Sequence, residues 1–401
     1  MPALPPLSLY VHLPWCVRKC PYCDFNSHAL QGTLPEAAYV DALLCDLTLQ
    51  LSAVQGRVVQ SIFLGGGTPS LFAPAALARL LQAVRARLPL AQDAEITLEA
   101  NPGTIERGQF SGYRSAGITR VSLGAQSFAP AQLQRLGRIH SSGEIALAVG
   151  ELRAAGLDNF NLDLMYGLPQ QSVAQALEDL DQAMALAPSH LSHYQLTIEP
   201  GTLFAGRPPA GLPDPDHSAE LQAACQARMA EAGYGQYEIS AYARAGARCR
   251  HNLNYWQFGD YLGIGAGAHG KLSQLEHGAL VITRTTRTRD PRRYLAQFES
   301  PLAAAVHTPG TEARRVALSE RAFEFLLNAL RLVEGFEQAQ FEARTGLELS
   351  SVAAQFERAG QLGLLEGQGT RWRASPRGLN FLNDLLALFL PQPSSRESRT
   401  G

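Results

Sequence analysis

Short apolar stretches alternate with longer amphipathic stretches over the first 240 residues of the chain. The short stretches alternate apolar and polar positions or are wholly apolar, and Gly, Pro or Asn bounds most of them, as expected for strands. The predicted strands are residues 8–13, 60–64, 95–99, 120–123, 159–164, 191–196 and 236–240. Helical spacing lies between them, as in residues 35–51, 74–88 and 171–186. A strand–helix unit repeated about six times predicts an α/β fold with a parallel sheet or barrel.

The pattern changes after about residue 310. Residues 319–333, 338–345 and 350–359 predict three amphipathic helices, and residues 364–373 predict a two-stranded hairpin. Ser375 and Pro376 are a typical start for a last helix over residues 379–390. We therefore expect two domains, an α/β domain over residues 1–310 and a winged-helix-like α+β domain over residues 311–390. The tail, residues 391–401, is predicted to be disordered.

Composition and charge narrow the class of protein. Hydrophobic residues make up 46% of the 401 residues, which is enough for a sizeable core, and the net charge of -2 gives no general affinity for nucleic acid. The arginine-rich run from Arg284 to Arg293 is interpreted as the polar face of a strand followed by a helix start, with a phosphate or carboxylate site as the less favoured alternative. We see no leader sequence and no apolar run close to the ~18 residues of a membrane span, and we expect a cytoplasmic protein.

Three of the six cysteines, Cys16, Cys20 and Cys23, fall within eight residues. Soft thiolates at this spacing favour zinc or an iron–sulfur cluster. Structural zinc needs a fourth ligand, which only His12 or His28 offers nearby, so zinc stays as an alternative. A cubane cluster normally takes four cysteines, and three would leave one iron with an open position for a ligand. We therefore favour an iron–sulfur cluster.

Other polar and glycine-rich segments follow the predicted strands. Gly65-Gly66-Gly67-Thr68-Pro69 follows the second strand, Glu99 ends the third, Gln126 follows the fourth and Asp163 ends the fifth. In parallel α/β folds the carboxyl ends of the strands meet at one edge, where active sites form. These segments are therefore expected to lie around the cysteines.

The sequence at this point resembles the radical S-adenosylmethionine proteins. Their signature is CxxxCxxC with an aromatic residue before the last Cys, here Tyr22, and a GGGTP segment one unit later. The segments LYVHLPWCVRKCPYCDFNSH, LEANPG, SLGAQSF, RLGRIH, NLDLMYGLP and HNLNYW resemble, more closely, the oxygen-independent coproporphyrinogen III oxidase family. The resemblance covers residues 9–390. It implies a partial (β/α)6 barrel and a [4Fe-4S] cluster held by Cys16, Cys20 and Cys23, with S-adenosylmethionine on the open iron.

The resemblance also implies a set of S-adenosylmethionine contacts. They are Tyr10, Tyr22, Gly66, Gly67, Thr68, Glu99, Gln126, Arg138, Asp163, Gln195 and His269. Backbone without side chains can approach the methionine part closely, and Arg138 can pair with a carboxylate in a fork. Ordinary salt bridging in loops is the alternative for Glu99, Arg138 and Asp163.

In two departures from the oxidases the sequence resembles a sister branch, the HemW-type haem chaperones. The oxidases have a fourth cysteine where Phe25 stands here, and they carry a longer segment before the cluster than the fifteen residues that precede Cys16. The branch motif HNxxYW is present, and it implies haem ligation by His251, with Cys249 as a candidate second thiolate. The implied partners are haem and haem-acceptor proteins, including respiratory, membrane-linked ones. An electron donor such as flavodoxin or ferredoxin is implied if radical chemistry occurs.

Two other functions stay open on the sequence. A genuine oxidase would decarboxylate two propionates of coproporphyrinogen III, against which Phe25 and the short N-terminal segment argue. Winged-helix modules also bind DNA, but the C-terminal segment has mixed charge and no basic stripe. We expect no nucleic-acid partner.

Overall fold

The structure, a computed structural model, describes residues 4–54, 56–104, 109–298 and 310–391. Of the tail that was predicted to be disordered, residues 392–401 lie outside the described residues. The strands are β1 (Leu7–Leu13), β2 (Trp15–Cys16), β3 (His28–Ala29), β4 (Val59–Gly66), β5 (Leu90–Ala100), β6 (Arg120–Gln126), β7 (Phe160–Tyr166), β8 (His190–Gln195), β9 (Gly235–Glu238), β10 (Ala241–Ala243), β11 (Asp260–Ile264), β12 (His269–Glu276), β13 (Ala279–Arg287), β14 (Thr311–Arg315), β15 (Phe336–Glu337), β16 (Leu365–Gln368) and β17 (Arg371–Ala374).

Fifteen helices lie in the same described ranges. They are α1 (Glu36–Val54), α2 (Pro74–Arg87), α3 (Gln109–Ala116), α4 (Pro130–Arg135), α5 (Ser142–Ala154), α6 (Val173–Ala185), α7 (Leu203–Gly206), α8 (Pro215–Glu231), α9 (Arg250–Trp256), α10 (Pro291–Ala296), α11 (Leu318–Ala329), α12 (Gln338–Thr345), α13 (Ala353–Gln361), α14 (Pro376–Asn380) and α15 (Leu382–Ala387). Short 3₁₀ turns cover Pro69–Leu71, Pro102–Thr104 and Leu349–Val352.

One twelve-stranded sheet organises the larger part of the molecule. Its order is β14-β13-β12-β11-β1-β4-β5-β6-β7-β8-β10-β9. The six strands β1, β4, β5, β6, β7 and β8 run parallel to their neighbours and form the partial (β/α)6 barrel. The prediction of an α/β fold with this barrel is confirmed. Antiparallel strands extend the sheet at both edges.

Alternation along the barrel strands separates the apolar core from a polar interior. In β7, Phe160, Leu162 and Leu164 belong to the large apolar core, whereas Asn161 and Asp163 bond to Ser122 of β6. Side chains of a strand alternate between its two faces. One face therefore packs against the surrounding helices, and the other lines the barrel with groups that can hydrogen-bond.

Local signals start the helices that cover the sheet. Ser141 and Glu144 form a capping box at the start of α5, and Ser172 and Gln175 do the same at α6. A capping box satisfies two backbone N–H groups that the first turn leaves without helical partners. These helices follow β6 and β7 and hold those strands from the outside.

Three sequence-based predictions differ from the structure. Residues 236–240 form β9, a short antiparallel edge strand that ends at Glu238, and not another parallel unit. The predicted last helix over residues 379–390 is two helices, α14 and α15, because Phe381 leaves the helical conformation at φ -115° and ψ 43°. The strands β11, β12 and β14 were not predicted as separate elements.

Helix α1 contradicts the expectation that no apolar run approaches membrane-spanning length. Among the described residues it is one helix of 19 residues that is long and apolar enough to meet the criterion. Leu43 and Leu47 pack into the large core, and the Asp46 carboxylate of the same helix pairs with Arg287 at 2.8 Å. Core helices that cover a sheet meet the same criterion, and these contacts are of that kind.

A second apolar core lies in the C-terminal segment, with α11–α13 and the three-stranded sheet β15-β17-β16 around it. The hairpin β16–β17 and the three helices have the predicted winged-helix-like arrangement. Phe258 and Ile282, from the segment before residue 310, are buried in the same core as Phe325. The two parts of the chain therefore share apolar contacts.

Candidate functional site

The loop with the three cysteines leaves the barrel directly after β1. Cys16 ends the short strand β2, which pairs with β3, and the Cys23 N–H donates to the Cys20 carbonyl at 3.2 Å. Each sulfur has a polar neighbour: the Thr68 hydroxyl lies 3.4 Å from Cys16 Sγ, an Arg138 nitrogen 3.6 Å from Cys20 Sγ and the Ser27 hydroxyl 3.5 Å from Cys23 Sγ. Hydrogen bonds to sulfur tune the thiolates of iron–sulfur sites, so this donor set fits a cluster.

The zinc alternative is not supported by the two histidines. His12 Nε2 lies 2.9 Å from the Asn26 carbonyl and its Nδ1 lies 3.1 Å from the Tyr10 hydroxyl, while His28 Nε2 lies 3.3 Å from Asn26 Oδ1. Both rings are therefore used in hydrogen bonds within the loop. In the described part of the chain, no three His, Cys, Asp or Glu side chains lie close enough together to bind one metal ion.

The glycine segment after β4 packs directly against this loop. The Gly67 N–H donates to the Leu13 carbonyl at 2.9 Å, and the Thr68 N–H donates to the Trp15 carbonyl at 2.7 Å. Gly66 has φ +115°, and a Cβ there would collide with the His12 ring. Only glycine fits this backbone and this contact.

Two carboxylates face each other inside the barrel opening. Glu99 Oε2 accepts the Gly66 N–H at 3.0 Å, and Asp163 accepts from Asn161 at 2.7 Å and from Ser122 at 3.2 Å. Burial, and then the charge of Asp163, raise the pKa of Glu99 to about 7. Burial also raises the pKa of Asp163. Glu99 is therefore poised between its charged and neutral forms near neutral pH.

Arg138 supplies positive charge at the same opening. One guanidinium nitrogen donates to the Gly124 carbonyl at 2.7 Å and another approaches Cys20, while Nε is buried with no hydrogen-bond partner among the described residues. Gln126 has φ +69° and accepts from the Tyr194 hydroxyl at 2.7 Å. Because this guanidinium next to the cysteines has an N–H group without a hydrogen-bond partner in the described residues, it can bind a carboxylate.

Most of the predicted site residues line one cavity, which we call the cluster cavity. Its walls contain eleven of the predicted residues: Cys16, Cys20, Cys23, Tyr22, Gly66, Gly67, Thr68, Glu99, Gln126, Arg138 and Asp163. They come from the cysteine loop and from strands β4, β5, β6 and β7 or the segments just after them, as the strand-end argument predicts. Ser122 and Tyr194 line it too, which the sequence did not single out.

A second cavity of about 780 Å³, the aromatic cavity, lies beside the first and shares Phe25, Gly66 and Glu99 with it. Its mostly apolar walls contain three further predicted residues, Tyr10, His251 and His269. Aromatic side chains form much of the lining: Phe25, Phe63, Tyr255, Trp256 and Tyr261. Its size and lining are those of a site for a large, flat organic ligand.

His251 lies on α9 at the wall of the aromatic cavity. Its Nδ1 lies 3.1 Å from the Ser61 hydroxyl, and its ring centroid lies 5.1 Å from that of Phe63. Burial, and then the charge of Arg120, lower the pKa of this imidazole to about 3. A neutral ring whose Nδ1 is fixed keeps Nε2 as a metal-binding nitrogen.

Two predicted residues lie away from these groups. Gln195 lines a third cavity, together with His193 and the α14–α15 turn, and not the cluster cavity. Cys249 is fully buried, with its sulfur 3.5 Å from Glu95, and it does not line the aromatic cavity. Burial raises the pKa of the Cys249 thiol to about 12, so it is a poor second thiolate.

The comparisons with known proteins agree with this geometry. Residues 10–183 match the Radical SAM superfamily, and residues 316–381 match the HemN C-terminal domain. The chain is 50% identical over 394 residues to Heme chaperone HemW of Escherichia coli (strain K12), which covers 98% of this chain and 100% of that protein. The chain belongs to the HemW family.

Other relatives agree with this membership. Heme chaperone HemW of Haemophilus influenzae is 49% identical over 98% of this chain and 100% of its own. Radical S-adenosyl methionine domain-containing protein 1, mitochondrial, of Mus musculus is 37% identical over 96% and 87%. The solved structure of coproporphyrinogen III oxidase (HemN) from Escherichia coli superposes with a TM-score of 0.80 at 22% identity, over 96% of this chain and 90% of that one, which shows a common fold. As a radical SAM protein of the HemW family, the chain carries a [4Fe-4S] cluster and S-adenosylmethionine.

Proposed function

We propose that this protein is a haem chaperone that binds haem in the aromatic cavity and transfers it to acceptor proteins. The observation that carries the proposal is His251, a neutral, hydrogen-bonded imidazole on the wall of an aromatic cavity that adjoins the cysteine site. The relatives at 50% and 49% identity are named heme chaperones. Haem needs an axial ligand and flat apolar surface, and both are present.

The cluster belongs in the first cavity, with Cys16, Cys20 and Cys23 as its three protein ligands. When bound, the cluster supplies an electron and an open iron that chelates S-adenosylmethionine. Gly66, Gly67 and Thr68 form the cavity wall beside the methionine part, and Arg138 offers a guanidinium for its carboxylate. Tyr22, Glu99, Gln126 and Asp163 complete that wall.

Tyr10 and His269 line the aromatic cavity, so contacts from them to S-adenosylmethionine would reach across the wall that the two cavities share. Gln195 lies in a separate cavity, and we propose no contact for it. Phe25, where the oxidases have cysteine, is 60% exposed and lines both cavities. An apolar side chain there offers surface to a porphyrin and no fourth sulfur to the cluster.

The haem site is tested by His251→Ala. We expect purified protein to bind about one haem per chain, and the variant to shift the Soret band and weaken haem binding about tenfold or more, because the axial ligand is lost. The matched control is His193→Ala, since His193 is also a buried histidine but lies outside the aromatic cavity. An unchanged spectrum and affinity in His251→Ala would refute this assignment.

The cluster site is tested by Cys20→Ala with Cys45→Ala as control, since Cys45 is an exposed cysteine on α1. After anaerobic reconstitution, the first variant should lose most of its iron and its charge-transfer absorbance, and the control should keep both. Equal iron contents in the two variants would contradict the ligand set. Anaerobic conversion of coproporphyrinogen III by the reconstituted protein would favour the oxidase function instead.

The acceptors and the compartment belong to the same proposal. Thiolate ligands and a reducible cluster need a reducing environment, so we place the activity in the cytoplasm. Haem-acceptor proteins, including membrane-linked respiratory ones, and an electron donor such as flavodoxin or ferredoxin are the proposed protein partners. Co-purification of haem with an acceptor apoprotein after mixing it with the haem-loaded chain would test the transfer.

A further inference from the structure

The aromatic cavity has an electropositive part away from His251. His269 and Arg289 line it there, and Arg284 donates to the hydroxyl of the lining Tyr261 at 2.9 Å. Burial lowers the pKa of His269, and the charges of Arg284 and Arg289 lower it further, which places both guanidinium groups close to this ring. The cavity wall therefore carries a guanidinium group in addition to its aromatic side chains.

Arg289 differs from Arg284 and Arg287 because its guanidinium group forms no ion pair with a described residue. Arg284 pairs with Glu324 at 2.8 Å, and Arg287 pairs with Asp46 at 2.8 Å. Within the described ranges, the exposed Arg289 guanidinium has no carboxylate partner. The neighbouring Asp290 does not neutralise it, because that carboxylate caps α10 by accepting the Arg293 N–H at 2.8 Å.

The backbone of Arg289 is held firmly at the cavity wall. Its carbonyl accepts from Asn26 Nδ2 at 2.9 Å, and the same amide group donates to the Ala266 carbonyl at 2.9 Å. The Gly267 N–H donates to the Thr288 carbonyl at 2.8 Å. These bonds tie the segment to the loop that follows the cysteines, so the position of the charge is set while its side chain stays free to meet a ligand.

We infer that Arg289 binds a carboxylate of the ligand in the aromatic cavity, namely a haem propionate, and so orients the porphyrin with its iron toward His251. The inference rests on the proposed haem-binding function. Haem is a flat apolar ring with two carboxylates on one edge, and a guanidinium binds a carboxylate with two parallel hydrogen bonds. The cavity offers the matching division, with aromatic walls beside His251 and a free cation at Arg289.

Two acidic side chains also line this cavity, Asp24 and Glu99. Glu99 accepts the Gly66 N–H at the wall shared with the cluster cavity, where burial and the like charge of Asp163 raise its pKa to about 7. Asp24 is the anion that opposes a second carboxylate in this cavity. One propionate bound by Arg289, with the other in solvent, agrees with these charges.

The test compares Arg289→Gln with Arg292→Gln, an exposed arginine on α10 outside this cavity. Full-length protein is titrated with haem and with haem dimethyl ester, which lacks the carboxylate charges. We expect Arg289→Gln to raise the Kd for haem about three- to tenfold at low salt, less at high salt, and to leave the Kd for the ester unchanged. Arg289→Lys should restore part of the affinity.

Each outcome bears on a separate claim. Equal haem affinities of Arg289→Gln and the unsubstituted protein, with binding that still depends on His251, would overturn the role of Arg289 and leave the haem site intact. Equal weakening for haem and its ester would also overturn it, because the effect would not involve the carboxylate. If the unsubstituted protein binds no haem, the proposed function fails, and this inference fails with it.

Discussion

The carboxylate of Glu99 in the barrel opening is partly removed from water and lies near a second carboxylate. Glu99 is partly buried on the wall between the two cavities, and removal from water together with Asp163 raises its pKa to about 7. In an unfolded chain a glutamate titrates at about 4.3. The folded protein therefore holds its proton more tightly than the unfolded chain does.

This difference predicts a pH dependence of stability for the protein without cluster. The stabilisation from protonated Glu99 is fully present below pH about 4.3 and is lost as pH rises through about 7. Glu99→Gln should remove that part of the slope and should be more stable than the unsubstituted protein at pH 8, by about 1 to 3 kcal/mol. Urea unfolding between pH 5 and 8 measures it. Glu178→Gln, an exposed carboxylate change on α6, is the control, and parallel slopes for all three proteins would contradict the prediction.

At the scale of single residues, the sequence predicted which residues line the cluster cavity where those residues belong to a recognisable motif. The three cysteines, the Gly66–Thr68 segment and Glu99 lie in one cavity, as their positions after successive strands predict. Asn26, which ties the cysteine loop to Ala266 and Arg289, could not be found in this way. Its partners lie more than 200 residues away, and a lone asparagine after a motif carries no signal of such contacts.

Among the elements, the neighbouring strands β11 and β12 depend on a buried charge cluster. The Asp260 carboxylate pairs with the Lys271 ammonium and with Arg57, each at 2.8 Å, and accepts from Ser273 at 2.9 Å. Lys271 and Asp260 are almost completely buried. A buried charge without its partner is strongly unfavourable, so these strands require the whole group.

Asp260→Asn should therefore destabilise the protein by about 3 to 5 kcal/mol, because it leaves the Lys271 ammonium in the interior without a carboxylate. The control is Asp41→Asn, which breaks an exposed pair with Arg79 and should cost less than about 1 kcal/mol. Chemical denaturation followed by circular dichroism compares the two variants. Similar midpoints for both would show that the cluster is not needed.

Whether a strand or helix could be predicted from the sequence depended on how it is buried in the fold. The barrel strands have alternating or continuous apolar patterns between covering helices, and their periodicity was enough to predict them. The strands β12, β13 and β14 form an antiparallel extension with partly exposed faces, so their pattern is weaker. Tertiary contact also places helix α14, since Gly378 lies too close to the Leu364 backbone for any side chain.

Across the whole molecule, the second apolar core joins the C-terminal segment to the large sheet. Phe325 of α11 packs with its ring centroid 5.7 Å from that of Phe258, which precedes β11, and 5.0 Å from that of Phe336. Arg284 of β13 also pairs with Glu324 of α11. The predicted division at residue 310 stays a prediction, and these contacts imply that both sides of it unfold together.

Phe325→Ala should lower the stability of the protein by about 3 to 5 kcal/mol and keep one cooperative transition, because its cavity opens in a core that both parts share. Leu327→Ala on the same helix is the control, since Leu327 is 43% exposed. Calorimetry distinguishes the outcomes. Two separate transitions, with only the smaller one shifted, would show that the C-terminal segment unfolds alone.

The barrel strands with their helices, the spacing of the three cysteines and the family follow from local patterns, because periodicity and short motifs are properties of neighbouring residues. The two adjacent cavities do not. His251 and Tyr10 are 241 residues apart in the chain, yet both line the aromatic cavity, because α9 contacts β1 and β4 after the barrel is complete. Folding gave Arg284 and Arg287 carboxylate partners from distant helices and, within the described ranges, none to Arg289. Long-range packing sets which groups meet and which charges stay unpaired, and no local pattern contains that information.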